Sequence, residues 1–396
     1  MTVKIASLKS LLRHSEDFAN EKTAFISDIE KSLGEWLQFS DLDDYDCDVK
    51  LIFVETGGSE GLFLEAAKQL QEPYYLLTSG GNNSLAASLE IMTWIGLNGK
   101  RGEILHGTPD YIAGRIRELA QTAGAKRKLM GTRLGVVGKP SDWLISSVPD
   151  YGMVKEKLGV ELVDISLKEF EKRAVAVPEP ESPSNWNLRA LEKYEMQKAE
   201  GIRAVMDEVI AEYDLKGLTI RCFDLLAPTG STGCLGLSHL NDTGFTGTCE
   251  GDIAAMLSMH IVRALTGQSS FQANPSRIDT ENNRVTFAHC TVPTDMLVDF
   301  RLDTHFESGT GVAIAGEMKK EKVTVFRLSG DLKNYYVTTG TVTDTPHEKN
   351  LCRTQIVVQM DSPVTELLKN PCGNHHIVFY GDHKQEIVTL MEELLG

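Results

Sequence analysis

The sequence contains no apolar run of the ~18 residues that a membrane-spanning helix needs. Its opening stretch, MTVKIASLKSLLRHSEDF, is charged throughout, which is unlike a secretory signal, so the expectation is a cytoplasmic protein with no membrane partner. Basic charge is in deficit. Against 56 Asp and Glu there are 40 Lys and Arg, a formal net charge of −16, and a nucleic acid would need the opposite balance. Cysteine is sparse and odd in number: seven residues are scattered along 396, with no CxxC pair, which fits reduced thiols better than a disulfide framework. No H-E-x-x-H zinc motif is present, and no strand is followed by a complete G-x-G-x-x-G turn, so a dinucleotide site is not supported. There is no internal repeat and no low-complexity tract.

What remains is an ordinary globular composition, long enough for two or three domains. Short β-branched runs at residues 49–54, 74–77, 134–137, 158–165 and 219–226 alternate with helical patterns at 85–95 and 112–121. Such alternation predicts doubly wound parallel sheets. The small, basic segment 124–132 reads as a connection between two α/β lobes. Residues 177–184 (VPEPESPS) read as a proline-rich surface loop, with a long helix following over about 187–213. Beyond residue 267 the pattern changes to strands at 284–289, 323–328, 335–342, 351–360 and 377–380, then a closing helix at 385–395. This predicts an antiparallel sheet or small barrel. The fold class expected is therefore α/β, with two doubly wound parallel-sheet (Rossmann-like) lobes, 1–130 and 131–267, and an antiparallel β-rich C-terminal domain, 268–396.

Five segments can carry chemistry. Thr248-Cys249-Glu250-Gly251-Asp252 precedes an amphipathic helix at 253–265; Asp252 suits a helix cap, and Glu250 is not explained that way. Phe271–Arg277 contains Asn-Pro-Ser and reads on its own as a turn. His289 closes an apolar strand before Cys290, and His375-His376 stand before the last strand. Neutral imidazoles with carboxylates are a ligand set for Mn²⁺, Fe²⁺, Co²⁺ or Zn²⁺. Finally, Thr78-Ser-Gly-Gly-Asn-Asn-Ser84 is a glycine-rich strand-to-helix loop whose N–H groups can hold phosphate or hydroxyl oxygens, or form a plain tight turn. It lacks the lysine of an ATP-binding P-loop.

Taken together, these segments resemble the L-fucose/L-arabinose isomerase superfamily, in its short "L-fucose isomerase-like" branch. The resemblance runs over most of the chain. It rests on Gly80–Glu90 with Ile104-Leu-His-Gly107, on Arg133–Leu144, and on Cys249–Asp252, Phe271–Pro275, Phe287–Cys290, Cys352-Arg-Thr-Gln355 and Asn374-His-His376. The resemblance implies a metal-dependent aldose–ketose isomerase, usually with Mn²⁺, acting through an enediol(ate) on a pentose, a deoxyhexose or a modified sugar. It also implies a homo-oligomer, a trimer or hexamer. By matching motif, Glu250 is the first metal-binding carboxylate and a catalytic residue, and His376 is a ligand with His375 as the alternative. His289 matches a further ligand of the arabinose isomerase pattern. The second carboxylate of the fucose isomerase pattern falls on Asn274, 24 residues after Glu250. An amide can ligate a metal through oxygen but cannot act as a general base. Asp252 and Asp279 are weaker substitutes. The substitution leaves two other readings open: a related enolate-forming hydrolase or lyase, and a catalytically degenerate sugar-binding or regulatory protein. Substrate contacts are expected from Asn82, Asn83, Ser84, Asp142, Trp143, Arg353, Gln355 and His375.

Overall fold

The computed structural model describes residues 1–10, 16–176 and 193–395, so the proline-rich segment 177–184 and the start of the helix expected at 187 lie outside the described residues. The chain divides into two compact units, Met1–Gly124 and Ala125–Gly396.

The first unit is a five-stranded sheet of β1 (Val3–Leu8), β2 (Leu37–Phe39), β3 (Val49–Val54), β4 (Tyr74–Leu77) and β5 (Gly102–Leu105), ordered β2-β1-β3-β4-β5. Every pairing is parallel. All six residues of β3 are buried, as expected of a central strand covered on both faces. Ile29, Ile112 and Ile116 cover one face, and Phe63, Ala87 and Ile91 the other.

The second unit begins with a parallel sheet of β6 (Arg133–Val137), β7 (Glu161–Ile165), β8 (Gly217–Ile220) and β9 (Thr246–Thr248), ordered β7-β6-β8-β9. The run 158–165 is not one strand. The helix Tyr151–Leu158 ends at Gly159 in left-handed conformation, and β7 starts only at Glu161. The run at 219–226 likewise divides: β8 ends at Ile220 and short helical turns follow. Residues 124–132, expected as a connection, are mostly the last two turns of the helix Pro109–Leu129.

A closed barrel follows. Its six strands are β10 (Phe271–Asp279), β11 (Arg284–His289), β14 (Lys322–Leu328), β15 (Tyr335–Asp344), β16 (Thr354–Met360) and β17 (His376–Tyr380); β12 (Leu297–Asp303) and β13 (Ala313–Met318) form a separate hairpin. Every barrel pairing is antiparallel. Phe271–Arg277 is strand, where the sequence suggested a turn: its Asn-Pro is absorbed by a register shift between Pro275 and Arg277, the kind of bulge at which a strand tolerates proline.

The helix Ile253–Thr266 ties sheet to barrel. Its buried side chains pack among Leu134 and Val136 of β6, Phe326 and Leu328 of β14, and Leu390 and Met391 of the C-terminal helix. A helix enclosed on all sides needs apolar residues all round, and IAAMLSMHIVRALT provides them. Among the described residues, no helix is long and apolar enough to cross a membrane.

Candidate metal centre

Glu250 and Gly251 follow β9 after Cys249, and both have left-handed backbone conformation, with φ of 66° and 70°. Gly251 is required there, because a Cβ would lie 2.7 Å from the Lys139 carbonyl oxygen. The loop is held from three sides. The Gly251 N–H donates to the Ile220 carbonyl, the Ser141 N–H to the Glu250 carbonyl, and the Cys249 N–H to Gln272 Oε1 of β10. Glu250 therefore stands outside the carboxyl ends of β6, β8 and β9, where open α/β sheets place their ligands.

Three buried side chains meet at this point. Ligand atoms of Glu250, His289 and His375 all lie within 4.8 Å of one another. Glu250 Oε1 is 3.4 Å from His375 Nε2 and 3.9 Å from His289 Nε2. Trp143 Nε1 donates to the other carboxylate oxygen at 2.6 Å. Beyond Trp143 runs an aromatic wall: its ring meets Phe223 edge-on at 5.5 Å, and Phe223 meets His305 at 5.4 Å.

Behind the three is a fully buried charge network. His375 Nδ1 lies 2.8 Å from Asp252 Oδ2. Asp252 Oδ1 accepts from the Ala255 N–H at 2.8 Å, capping the helix, and from Arg327 Nη2 at 3.1 Å. Arg327 Nη2 also donates to Ser147 Oγ. Burial disfavours every charge here, yet the partners win for the acids. Burial lifts the Glu250 carboxyl, but His375, His289 and the Trp143 bond hold it at about 2. Burial likewise works against Asp252, but Arg327 and His375 keep it well below the usual carboxylate range. Burial works against the His375 cation, and Asp252 and Glu250 override it, pushing its pKa up to about 9. His289 has no such support. Burial, then the His375 charge, pushes it down to about 3, so it is neutral.

One carboxylate and two imidazoles are a donor set for a divalent transition metal. Donors ~2.1 Å from one ion stand roughly 3–3.5 Å apart, near the separations seen here. His375 Nε2 is buried, faces Glu250 Oε1 at 3.4 Å and makes no well-formed hydrogen bond, as two ligand atoms that share a cation would. The residues fit such an ion.

Not every residue expected at the site comes to it. The structure brings His375, and not His376, to Glu250. His376 is the first residue of β17, so its side chain alternates to the opposite face, against Phe287 and Tyr336. Asn274 lies two residues beyond Gln272 on β10, the residue that grips Cys249, and its Oδ1 is buried without a partner. Arg353 is held by Thr304, donating from Nε to its carbonyl and from Nη2 to its hydroxyl, beside His305. Gln355 is engaged within its own loop, with Glu348 and Cys352. Asp142 forms a two-pronged ion pair with Arg221.

Asn82, Asn83 and Ser84 belong to the first unit. The two asparagines line a cavity of about 350 Å³ with Ser10, Thr56 and Gly58, and the Ser84 hydroxyl is bonded to Thr78 and Gly81. Sequence reasoning overlooked Phe223, His305 and Arg327. Nothing near them in sequence signals a site; only the fold brings them in. Asp252 was legible as a cap but not as the partner of His375.

No family model matches the chain. Three relatives carry the name sulfoquinovose isomerase. That of Alkalicoccus urumqiensis is 26% identical over 302 residues, covering 72% of this chain and 68% of its own. That of Priestia megaterium is 26% identical over 308 residues, with the same shares. That of Clostridium sp. (strain MSTE9) is 25% identical over 324 residues, covering 75% and 71%. The chain is thus similar, over nearly three quarters of its length, to enzymes named for isomerising a sugar.

Proposed function

We propose that this chain is a metal-dependent sugar isomerase that interconverts an aldose and its ketose through an enediol(ate). The observation that carries this is the convergence of Glu250, His289 and His375 on one point, in a chain similar to sulfoquinovose isomerases. Glu250, His289 and His375 would hold the ion, with Mn²⁺ the first candidate and the Asn274 carbonyl oxygen as a further donor. A divalent cation there would polarise the substrate carbonyl and offset the negative charge that develops on it.

The chain's own residues supply the rest. Glu250 is ionised at neutral pH, and its Trp143 bond fixes the carboxylate plane. The Trp143–Phe223–His305 wall gives a sugar an apolar face with a polar end. The relatives' name puts a sulfonated aldohexose first among substrates, and Arg353, bonded to Thr304 and 3.8 Å from Asp303, is the cation that would turn to its anionic substituent. Trp143 and Arg353 are substrate contacts in this reading. A homo-oligomer, trimer or hexamer, belongs to the same proposal.

The test is incubation of Mn²⁺-loaded protein with aldohexoses, sulfoquinovose included, in D₂O. Net aldose–ketose conversion with deuterium on the carbon beside the carbonyl is the expected result. Exchange without conversion would point to an enolate-forming lyase or hydrolase, and saturable binding without exchange to a sugar-binding protein. Either outcome overturns the isomerase reading.

A further inference from the structure

We propose that Asp252 is a positioning residue that decides which nitrogen of His375 faces the metal. The inference rests on the metal-centre reading above. Asp252 lies between three partners, and two of them have fixed chemistry. The Ala255 N–H and the Arg327 guanidinium are donors at any ordinary pH, and both point at Oδ1, at 2.8 and 3.1 Å. That oxygen must accept. Arg327 has no room to turn away, being fully buried and also bonded to Ser147 and to the Cys372 carbonyl. A Cβ on Gly373 would lie 2.7 Å from its Nε, so the backbone closes over the guanidinium. The remaining oxygen, Oδ2, faces His375 Nδ1 at 2.8 Å. It accepts the Nδ1–H, and so leaves Nε2, 3.4 Å from Glu250 Oε1, as the nitrogen that gives up its proton to a metal.

The same geometry says what an isosteric amide does. In Asp252→Asn the amide oxygen must occupy the Oδ1 position, because two donors converge there. The NH₂ is then forced to the Oδ2 position and donates to His375 Nδ1. The imidazole can accept that bond only by carrying its proton on Nε2, the atom that would bind the metal. The closest replacement in shape therefore inverts the tautomer.

A capping role alone predicts the reverse, since asparagine caps a helix as well as aspartate does. The test is Mn²⁺ affinity by calorimetry for wild type and Asp252→Asn, with folding checked by circular dichroism. A loss of about 10- to 100-fold or more in a folded variant is expected. Equal affinity in both proteins overturns the positioning role while leaving the metal reading intact. A wild type that binds no Mn²⁺ overturns both. Removing the charge opposite buried Arg327 also weakens the fold, so a second measurement uses wild type alone. ¹⁵N spectra of Zn²⁺-loaded protein should show His375 protonated at Nδ1 and metal-bound through Nε2. An unprotonated or metal-bound Nδ1 overturns the proposal.

Discussion

At the scale of single residues, the decisive side chain is Asn274. Its carbonyl oxygen is buried without a hydrogen-bond partner, two residues from the glutamine that grips the backbone beside Glu250. A buried acceptor left unpaired costs on the order of 1–3 kcal/mol, so it needs a reason, and a cation supplies one. Asn274→Asp replaces a neutral ligand with a charged one. The expected outcome is Mn²⁺ affinity at least about tenfold higher, ~1.4 kcal/mol, read by calorimetry. The same change puts a negative charge at a buried atom, so the metal-free variant should melt below wild type and recover on loading. Unchanged affinity would mean that the amide does not reach the ion. The sequence showed that two histidines before the last strand were candidates but could not separate them. What separates them is the strand start: His376 begins β17 and turns into the barrel, which leaves His375 for the site.

At the scale of elements, the helix Ile253–Thr266 carries a buried titratable group. His260 is 6% exposed, with Nδ1 at 3.1 Å from Thr246 Oγ1. Burial, then the Arg263 charge, pushes its pKa down to about 4 from 6.5. The folded state thus binds fewer protons than the unfolded chain between these values. The associated stability is present above pH 6.5 and is lost as pH falls toward 4, by on the order of 3 kcal/mol. His260→Asn keeps a partner for Thr246 and removes the titration. The gap in unfolding free energy between wild type and variant should move in the variant's favour as pH drops from 7.5 to 4, measured by urea unfolding. His289 and His376 are present in both proteins and cancel. A gap independent of pH would show that His260 does not titrate in this range. Elements were legible where pattern and burial agree: β3, β4, β11 and the C-terminal helix follow the hydrophobic period closely. They were misread where local chemistry and tertiary context part, as at β10, whose Asn-Pro reads as a turn until a bulge accommodates it. The short strands β2 and β9 went unnoticed, since three residues leave no period to detect.

At the scale of the whole molecule, the division into two units gives the function a sharp test. Every donor of the metal centre, with its supporting network, lies between Ser141 and His375, inside the second unit. The expected sugar contacts Asn82 and Asn83 lie in the first, at the carboxyl ends of the strands of its sheet. Metal affinity should therefore survive in a shortened chain. Residues 109–396 keep the helix Pro109–Leu129 whole, and with it Ala125 and Leu129, which pack in the second unit's core. This fragment should bind Mn²⁺ within about threefold of the full chain, a change of well under 1 kcal/mol. A folded fragment that has lost the metal would show that the centre depends on the first unit. That would contradict its closure by residues of the second alone, because each bond that orients Glu250 and His375 is made within the fragment.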